Sequence, residues 1–328
     1  MDDVLILSAS DVKNLLSMRD IIRAVEDAFR AYGKGDSKVA PIILTLIDRH
    51  EGEHEIKSGY VENYCIGAKI LTYYQNNRAR YGRPALSGTI ILNDLNDGRP
   101  LAILDGAYIT AARTGAAGAV AAKYLARPNS VAVGVIGAGV QGRYQIMALN
   151  EILKIESVRI YDIVPESAKE YVREMTQKFP FRFEQATTPK QAVQDADIVI
   201  TVTPSTAPIV LNEWITEGVH INAIGADSPG KQELDPKIVA RAKVIVDSLH
   251  QCVERGEIQT AIRRGMLRKE TVYAELADIV LAKKKGRVTS EEVTLFDATG
   301  LAVQDITTAY TVFTLARQKG IGAVFPLG

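Results

Sequence analysis

Early in the chain, apolar residues recur at three- and four-residue steps, at Ile21, Ile22, Val25, Ala28, Phe29 and Tyr32, until Gly33 and Gly35 stop the pattern. The first 35 residues therefore predict an amphipathic helix closed by glycine. From Val39 to Leu104 the texture changes to short β-rich runs at 42–47, 66–74, 89–92 and 101–104, separated by turn signals such as Asn96-Asp97-Gly98. An antiparallel or mixed sheet is expected there. Residues 109–126 are helical and alanine-rich, with small side chains at Thr110-Ala-Ala-Arg-Thr-Gly-Ala-Ala-Gly that allow close backbone approach. This segment reads as the bridge between domains. After Pro128, strands at 131–136, 158–161, 198–202, 220–224 and 244–246 alternate with helices starting near Gln141 and Pro165. Such alternation implies a parallel, doubly wound sheet. A last helix at 301–320, with Val303, Ile306, Tyr310 and Phe313 on one face, is expected to leave that sheet domain.

The chain's 328 residues, 47% of them hydrophobic, suffice for two cores of ordinary domain size. Lys plus Arg and Asp plus Glu balance at 39 each, so a nucleic-acid or anionic-membrane partner is not expected. Met1 is followed by Asp2 and Asp3 where a secretory signal carries positive charge, and no apolar run reaches about 18 residues. The expected location is the cytoplasm. Cys65 and Cys252 are far apart and outside any zinc or disulfide spacing, and His50 and His54 have no third ligand beside them. No metal is expected. The short basic run at 282–286 reads as a solvated helix end.

The strongest chemical signal is Gly137-Ala138-Gly139-Val140-Gln141-Gly142, which follows the strand 131–136 and opens a helix. Gly137 permits the tight turn, Gly139 lets the backbone approach a pyrophosphate, and Gly142 lets the helix pack on its strand. Asp162 ends the next strand roughly 20 residues on, where its carboxylate can accept hydrogen bonds from the adenosine ribose hydroxyls. The same charge repels a 2′-phosphate, and Ile163-Val-Pro-Glu166 supplies no arginine to offset it. NAD is expected rather than NADP, in a Rossmann domain. Thr203-Pro204-Ser205 and Ile224-Gly225-Ala226 stand at the carboxyl ends of later strands and suit a nicotinamide ribose, with helix caps or turns the alternative for each hydroxyl.

These motifs, with Gly67-Ala-Lys69, Arg113-Thr-Gly-Ala-Ala-Gly118, Asp227-Ser-Pro-Gly-Lys-Gln-Glu233 and Phe296-Asp-Ala-Thr-Gly-Leu-Ala-Val-Gln-Asp305, resemble the ornithine cyclodeaminase/mu-crystallin family over most of the chain. The similarity is greatest to the archaeal-type alanine dehydrogenases from about residue 99 to 310 and weaker in the N-terminal sheet. The resemblance implies a Rossmann NAD-binding domain at 116–305. It also implies a discontinuous α+β domain, 1–115 with 306–328, that binds substrate and forms a homodimer. It adds Thr114 and Thr299 to the cofactor contacts, places Lys69 and Arg113 against the substrate, and makes Lys69 and Asp227 catalytic, Asp227 as acid/base near the amino group. The residue types suit those tasks, since arginine presents a fixed fork to a carboxylate, lysine adds charge, and a carboxylate moves protons. Alternatives are an interdomain ion pair for Arg113 and a turn for Asp227 before Ser228-Pro229-Gly230; Lys69, alone among apolar neighbours, is odd for a plain strand.

One departure stands out. Where family members carry an arginine two residues after the first strand's proline, Pro41 is followed by Ile42 and Ile43. On a neighbouring strand, Lys57 falls where relatives have methionine, and Glu55 where cyclodeaminases have a substrate-binding glutamate. Period-two alternation puts both on one face. Lys57 could replace the missing cation or answer a second acidic group on the substrate; the alternative is an exposed Glu-Lys pair on an edge strand. The loop 73–84, with Arg78, Arg80 and Arg83, could lid a pocket or simply be solvated. The expected activity is NAD-dependent oxidative deamination of a small L-amino acid such as alanine, or the reverse imine reduction. The alternatives are an ornithine- or lysine-type cyclodeaminase that keeps its NAD, and a mu-crystallin-like ketimine reductase or ligand-binding protein.

Overall fold

The computed structural model describes residues 3–326. They form two compact units: the chain up to Arg113 together with the chain from Leu301 onward, and Thr114–Gly300. The expected boundaries were 115/116 and 305/306.

The first unit holds one mixed sheet. Its strands run in the spatial order Ala323–Pro326, Asp3–Leu7, Pro100–Asp105, Leu86–Asn93, Ile66–Tyr74, Gly52–Val61 and Ser37–Val39, with Ile43–Ile47 also paired to Gly52–Val61. Among the described residues, only Asp3–Leu7 and Pro100–Asp105 are parallel neighbours in this sheet; its other pairings are antiparallel. The N-terminus differs from the helical expectation, because Asp3–Leu7 is a strand and is followed by two helices, Ala9–Leu15 and Met18–Lys34. The apolar Val4, Leu5 and Leu7 are buried in a sheet, where tertiary pairing decides the conformation of so short a run. Helix Met18–Lys34 starts at a Ser17–Asp20 capping box and stops at Gly35, whose φ of 80° suits glycine. Gly33 lies inside the helix and does not break it. Its apolar face, Ile21, Val25, Ala28 and Phe29, is fully buried, and each large member contributes about 1.5–3 kcal/mol. Helix Ala302–Lys319 packs on this helix and on strands Gly52–Val61 and Ile66–Tyr74.

The second unit is doubly wound. Eight parallel strands lie in the order Arg182–Gln185, Ser157–Tyr161, Ala132–Ile136, Ile198–Thr201, His220–Ala223, Thr294–Asp297, Lys243–Val246 and Ala274–Glu275. The central strands are buried throughout, as helices on both faces require. Strand order reverses between Ala132–Ile136 and Ile198–Thr201, which creates a switch point at their carboxyl ends. Thr294–Asp297 and Arg182–Gln185 are not anticipated by the sequence; each owes its conformation to pairing with strands remote from it in sequence. His220 is a core residue bonded to Thr294 and Asn222, and burial pulls its imidazole down to about 3, so it stays neutral. Among the described residues, no helix is long and apolar enough to cross a membrane, and no cluster of metal-ligating side chains occurs.

Candidate active site

In the second unit the glycine-rich turn has the geometry a dinucleotide needs. Gly137 has φ 111°, and a Cβ there would meet the Val202 carbonyl oxygen at 2.8 Å. Gly142 has no room for a side chain because the Gly137 carbonyl lies against it. Around Gly139 the space is open, with nothing within 4 Å of an added Cβ. Gly139 caps helix Val140–Leu149 without a side chain, leaving its first N–H groups to face that space. Ala138, Val140 and Gln141 complete the turn, and Val140 is exposed.

Asp162 lies half-buried just past strand Ser157–Tyr161 and braces the turn, accepting from the Ala138 N–H at 2.8 Å and the Val164 N–H at 2.8 Å. Each carboxylate oxygen keeps a further lone pair for a ribose hydroxyl. Arg143 was missed by sequence reasoning. Its guanidinium donates to the Ala138 carbonyl at 2.5 Å and the Gly139 carbonyl at 3.1 Å, pairs with Glu174 at 2.6 Å, and stacks over Tyr171. The turn is therefore held from both sides, with the Asp162 carboxylate on its Ala138 N–H and the Arg143 guanidinium on its carbonyls.

The remaining expected cofactor residues divide. Thr203, Pro204 and Ser205 follow strand Ile198–Thr201, and Ile224, Gly225 and Ala226 follow the adjacent His220–Ala223. The Ser205 hydroxyl donates to the Ala207 carbonyl at 2.7 Å, which is a local turn role. Thr299 bonds Gln251 at 2.9 Å and Asp247 at 3.3 Å through its hydroxyl. The Thr114 carbonyl accepts from Gln145. Asp227 lies in the turn after Ala226, its side chain 48% exposed, and Oδ1 accepts from Lys231 Nζ at 2.6 Å.

The first unit gathers Glu55, Lys57, Lys69 and Arg113 on the expected elements. Antiparallel register sets Lys57 directly opposite Lys69, and both side chains are buried, at 5% and 1% exposure. Glu55 shares their face, with Lys57 Nζ 3.4 Å away. Ile43 pairs with Ile56, so residue 43 and Lys57 lie on opposite faces. Lys57 therefore does not stand in for an arginine at 43 by occupying the same face.

Two buried cations so close require an anion, and Asp305 provides it from helix Ala302–Lys319. Lys69 Nζ lies 2.9 Å from Oδ1 and 2.8 Å from Oδ2, straddling the carboxylate. Arg113 Nε donates to Oδ1 at 2.9 Å, while its Nη1 donates to Gln304 Oε1 at 3.0 Å. The ion pair that was the alternative for Arg113 thus exists, but inside one unit. These bonds engage Nε and Nη1, leaving the outer part of the fork for a carboxylate. Burial, with Arg113 and Lys57 nearby, draws the Lys69 ammonium down to about 7 despite Asp305. Burial pushes the Asp305 carboxyl up, but Arg113 and Lys69 outweigh it and hold it below the usual range. Lys57, Lys69 and Arg113 thus bring three basic side chains against the carboxylates of Glu55 and Asp305. Asp305 and Gln304 were not singled out in the sequence as parts of this cluster, since nothing local marks a helical Asp-Gln pair. The loop 73–84 contains helix Asn77–Tyr81, with Arg80 bonded to Glu51 at 2.6 Å on an exposed surface.

Alanine dehydrogenase of Archaeoglobus fulgidus is 39% identical to this chain over 98% of both. An archaeal alanine dehydrogenase dimer with bound NAD superposes with a TM-score of 0.95 at 38% identity, covering both chains fully. Thermococcus litoralis Δ1-pyrroline-2-carboxylate reductase, solved with NADH and L-proline, gives 0.94 at 37%, over 98% of this chain and 99% of its own. The ornithine cyclodeaminase/mu-crystallin family model matches residues 2–320, and the chain belongs to that family.

Proposed function

We propose that the protein is an NAD-dependent oxidoreductase of small α-amino acids and their imines, working as an oxidative deaminase in one direction and an imine reductase in the other. The observations that carry this reading are a dinucleotide turn in one unit and a buried Lys-Lys-Arg cluster in the other. Relatives named as alanine dehydrogenase and as pyrroline-2-carboxylate reductase support it.

In the proposed site the Gly137–Gly142 turn and Asp162 hold the pyrophosphate and adenosine ribose, and bound NAD supplies the hydride acceptor. Gly137, Ala138, Gly139, Val140, Gln141, Gly142, Asp162, Thr203, Pro204, Ser205, Ile224, Gly225 and Ala226, with Thr114 and Thr299, would make up the cofactor surface. Arg113 receives the substrate carboxylate in its outer fork, and Lys69 adds a second cation. Fixing the carboxylate fixes the orientation of the α-hydrogen, so positioning contributes much of the rate. Asp227, exposed enough to exchange protons, takes one from the substrate ammonium or from the water that attacks the imine. A carboxylate at 162 favours NAD over NADP, because it would repel a 2′-phosphate.

Lys57 serves on this reading as a third cation that raises the local potential, while Glu55 sets its position. The cyclodeaminase alternative needs a carboxylate to hold a distal substrate ammonium, and Glu55 already has Lys57 at 3.4 Å. The first unit would also carry the dimer contact. The test is a panel of L-amino acids with NAD, and of cyclic imines or oxo acids plus ammonia with NADH. The expected outcome is cofactor turnover with small monocarboxylic substrates in both directions. A protein that turned over neither set would contradict the proposal.

A further inference from the structure

One buried carboxylate ties together the two loops expected beside the nicotinamide half of the cofactor. Glu233 is fully buried on strand Gln232–Leu234. Its Oε1 accepts from the Thr203 N–H at 2.6 Å, and its Oε2 from the Gly225 N–H at 3.0 Å. Thr203 follows strand Ile198–Thr201 and Gly225 follows the neighbouring His220–Ala223, so the clamp spans the carboxyl ends of two adjacent parallel strands. The loops are in close contact, since a Cβ on Gly225 would run into both the Thr203 backbone and the Glu233 carboxylate.

Glu233 is itself held in place. The Glu257 carboxylate accepts from the Glu233 N–H at 3.1 and 3.0 Å and from the Leu234 N–H at 2.8 Å. Asp297 accepts in turn from the N–H groups of Glu257 at 3.0 Å and Ile258 at 3.1 Å. Burying a carboxylate is costly, and burial pushes Glu233 up to about 7 against the pull of Thr203 and Gly225. A neutral side chain of the same size could accept from only one of the two amides, so the second oxygen acceptor is what the carboxylate adds.

We propose that Glu233 is a positioning residue that fixes the spacing of the Thr203–Ser205 and Ile224–Ala226 loops for the nicotinamide and its ribose. The inference rests on the reading of this unit as NAD-binding. In Glu233→Gln the amide NH2 meets a backbone N–H donor, and one loop is released with side-chain volume conserved.

The experiment titrates full-length wild-type protein and Glu233→Gln with NADH and with ADP, which carries adenosine and pyrophosphate but no nicotinamide. Loss of one charge-assisted bond should raise the NADH dissociation constant about tenfold while ADP changes less than about twofold. Equal weakening of both ligands, or of neither, would overturn the proposal. Wild-type protein that bound neither would overturn the cofactor reading and this inference with it. Wild type binding both ligands, with a variant indifferent to the change, would overturn the inference alone. Should the variant not fold, amide hydrogen exchange on the wild-type protein decides. Slow exchange at Thr203 and Gly225 before NADH is added is expected; exchange that becomes slow only with NADH would contradict a pre-set clamp.

Discussion

Lys69 and Asp305 show how much of the candidate site one residue can reveal. A lysine alone among Ile66, Ala68, Ile70 and Leu71 stands out in any reading of the strand, because such a residue is seldom buried without a partner. Its partner is 236 residues away in sequence, on the last long helix, so no local signal joins them. Asp305→Asn should leave two buried cations without their anion and destabilise the protein by about 3–5 kcal/mol, read from the denaturant midpoint. Adding Lys69→Met to that variant should recover part of the loss; an unchanged midpoint in Asp305→Asn would remove Asp305 from the account. Titration of Lys69 gives a second test. Its ammonium lies at about 7 in the folded protein and near 10.5 when unfolded. Between those values the unfolded chain binds more protons, so this lysine makes stability rise with pH across that window. Glu233 and Asp297, both pushed up to about 7 by burial, act in the opposite sense below it. Stability measured from pH 7 upward should therefore show a smaller rise in Lys69→Met than in the wild-type protein; parallel curves would contradict the shift.

At the scale of elements, small residues are the clearest guide. The Ala- and Gly-rich segment was legible as a close-packing helix, and in helix Gly106–Leu125 a Cβ on Gly115 would collide with the Tyr144 carbonyl of helix Val140–Leu149. Alanine usually gains about 0.5–1 kcal/mol over glycine inside a helix. The backbone collision should outweigh that gain and leave Gly115→Ala less stable by about 1–3 kcal/mol, as chemical denaturation would show. A variant as stable as wild type would mean that the two helices can separate at no cost. The dinucleotide turn was legible for the same reason, since strand, glycines, helix and acid are contiguous. Strands Asp3–Leu7 and Thr294–Asp297 were not, because their conformation is set by partners remote in sequence: Pro100–Asp105 for the one, His220–Ala223 and Lys243–Val246 for the other. The Lys57 hypothesis had a similar limit. Alternation along one strand put Glu55 and Lys57 together, but only cross-strand register reveals that Ile43 faces the other way.

For the whole molecule, the first unit's sheet and edges expose apolar side chains at Ile43, Leu46, Val324 and Phe325, each more than half accessible. They lie toward opposite ends of the sheet and, by alternation, on both faces of their strands. Light scattering should give twice the 35.7 kDa chain mass. A wild-type monomer would contradict the dimer. The proposed reaction couples amino-acid oxidation to net reduction of NAD. The most direct measurement supplies an α-deuterated small L-amino acid and follows reduced cofactor, its deuterium content and ammonia together. The expected result is deuterium on the reduced nicotinamide, with reduced cofactor and ammonia accumulating one to one. Ammonia released without accumulated reduced cofactor would contradict it and identify the cyclodeaminase chemistry instead.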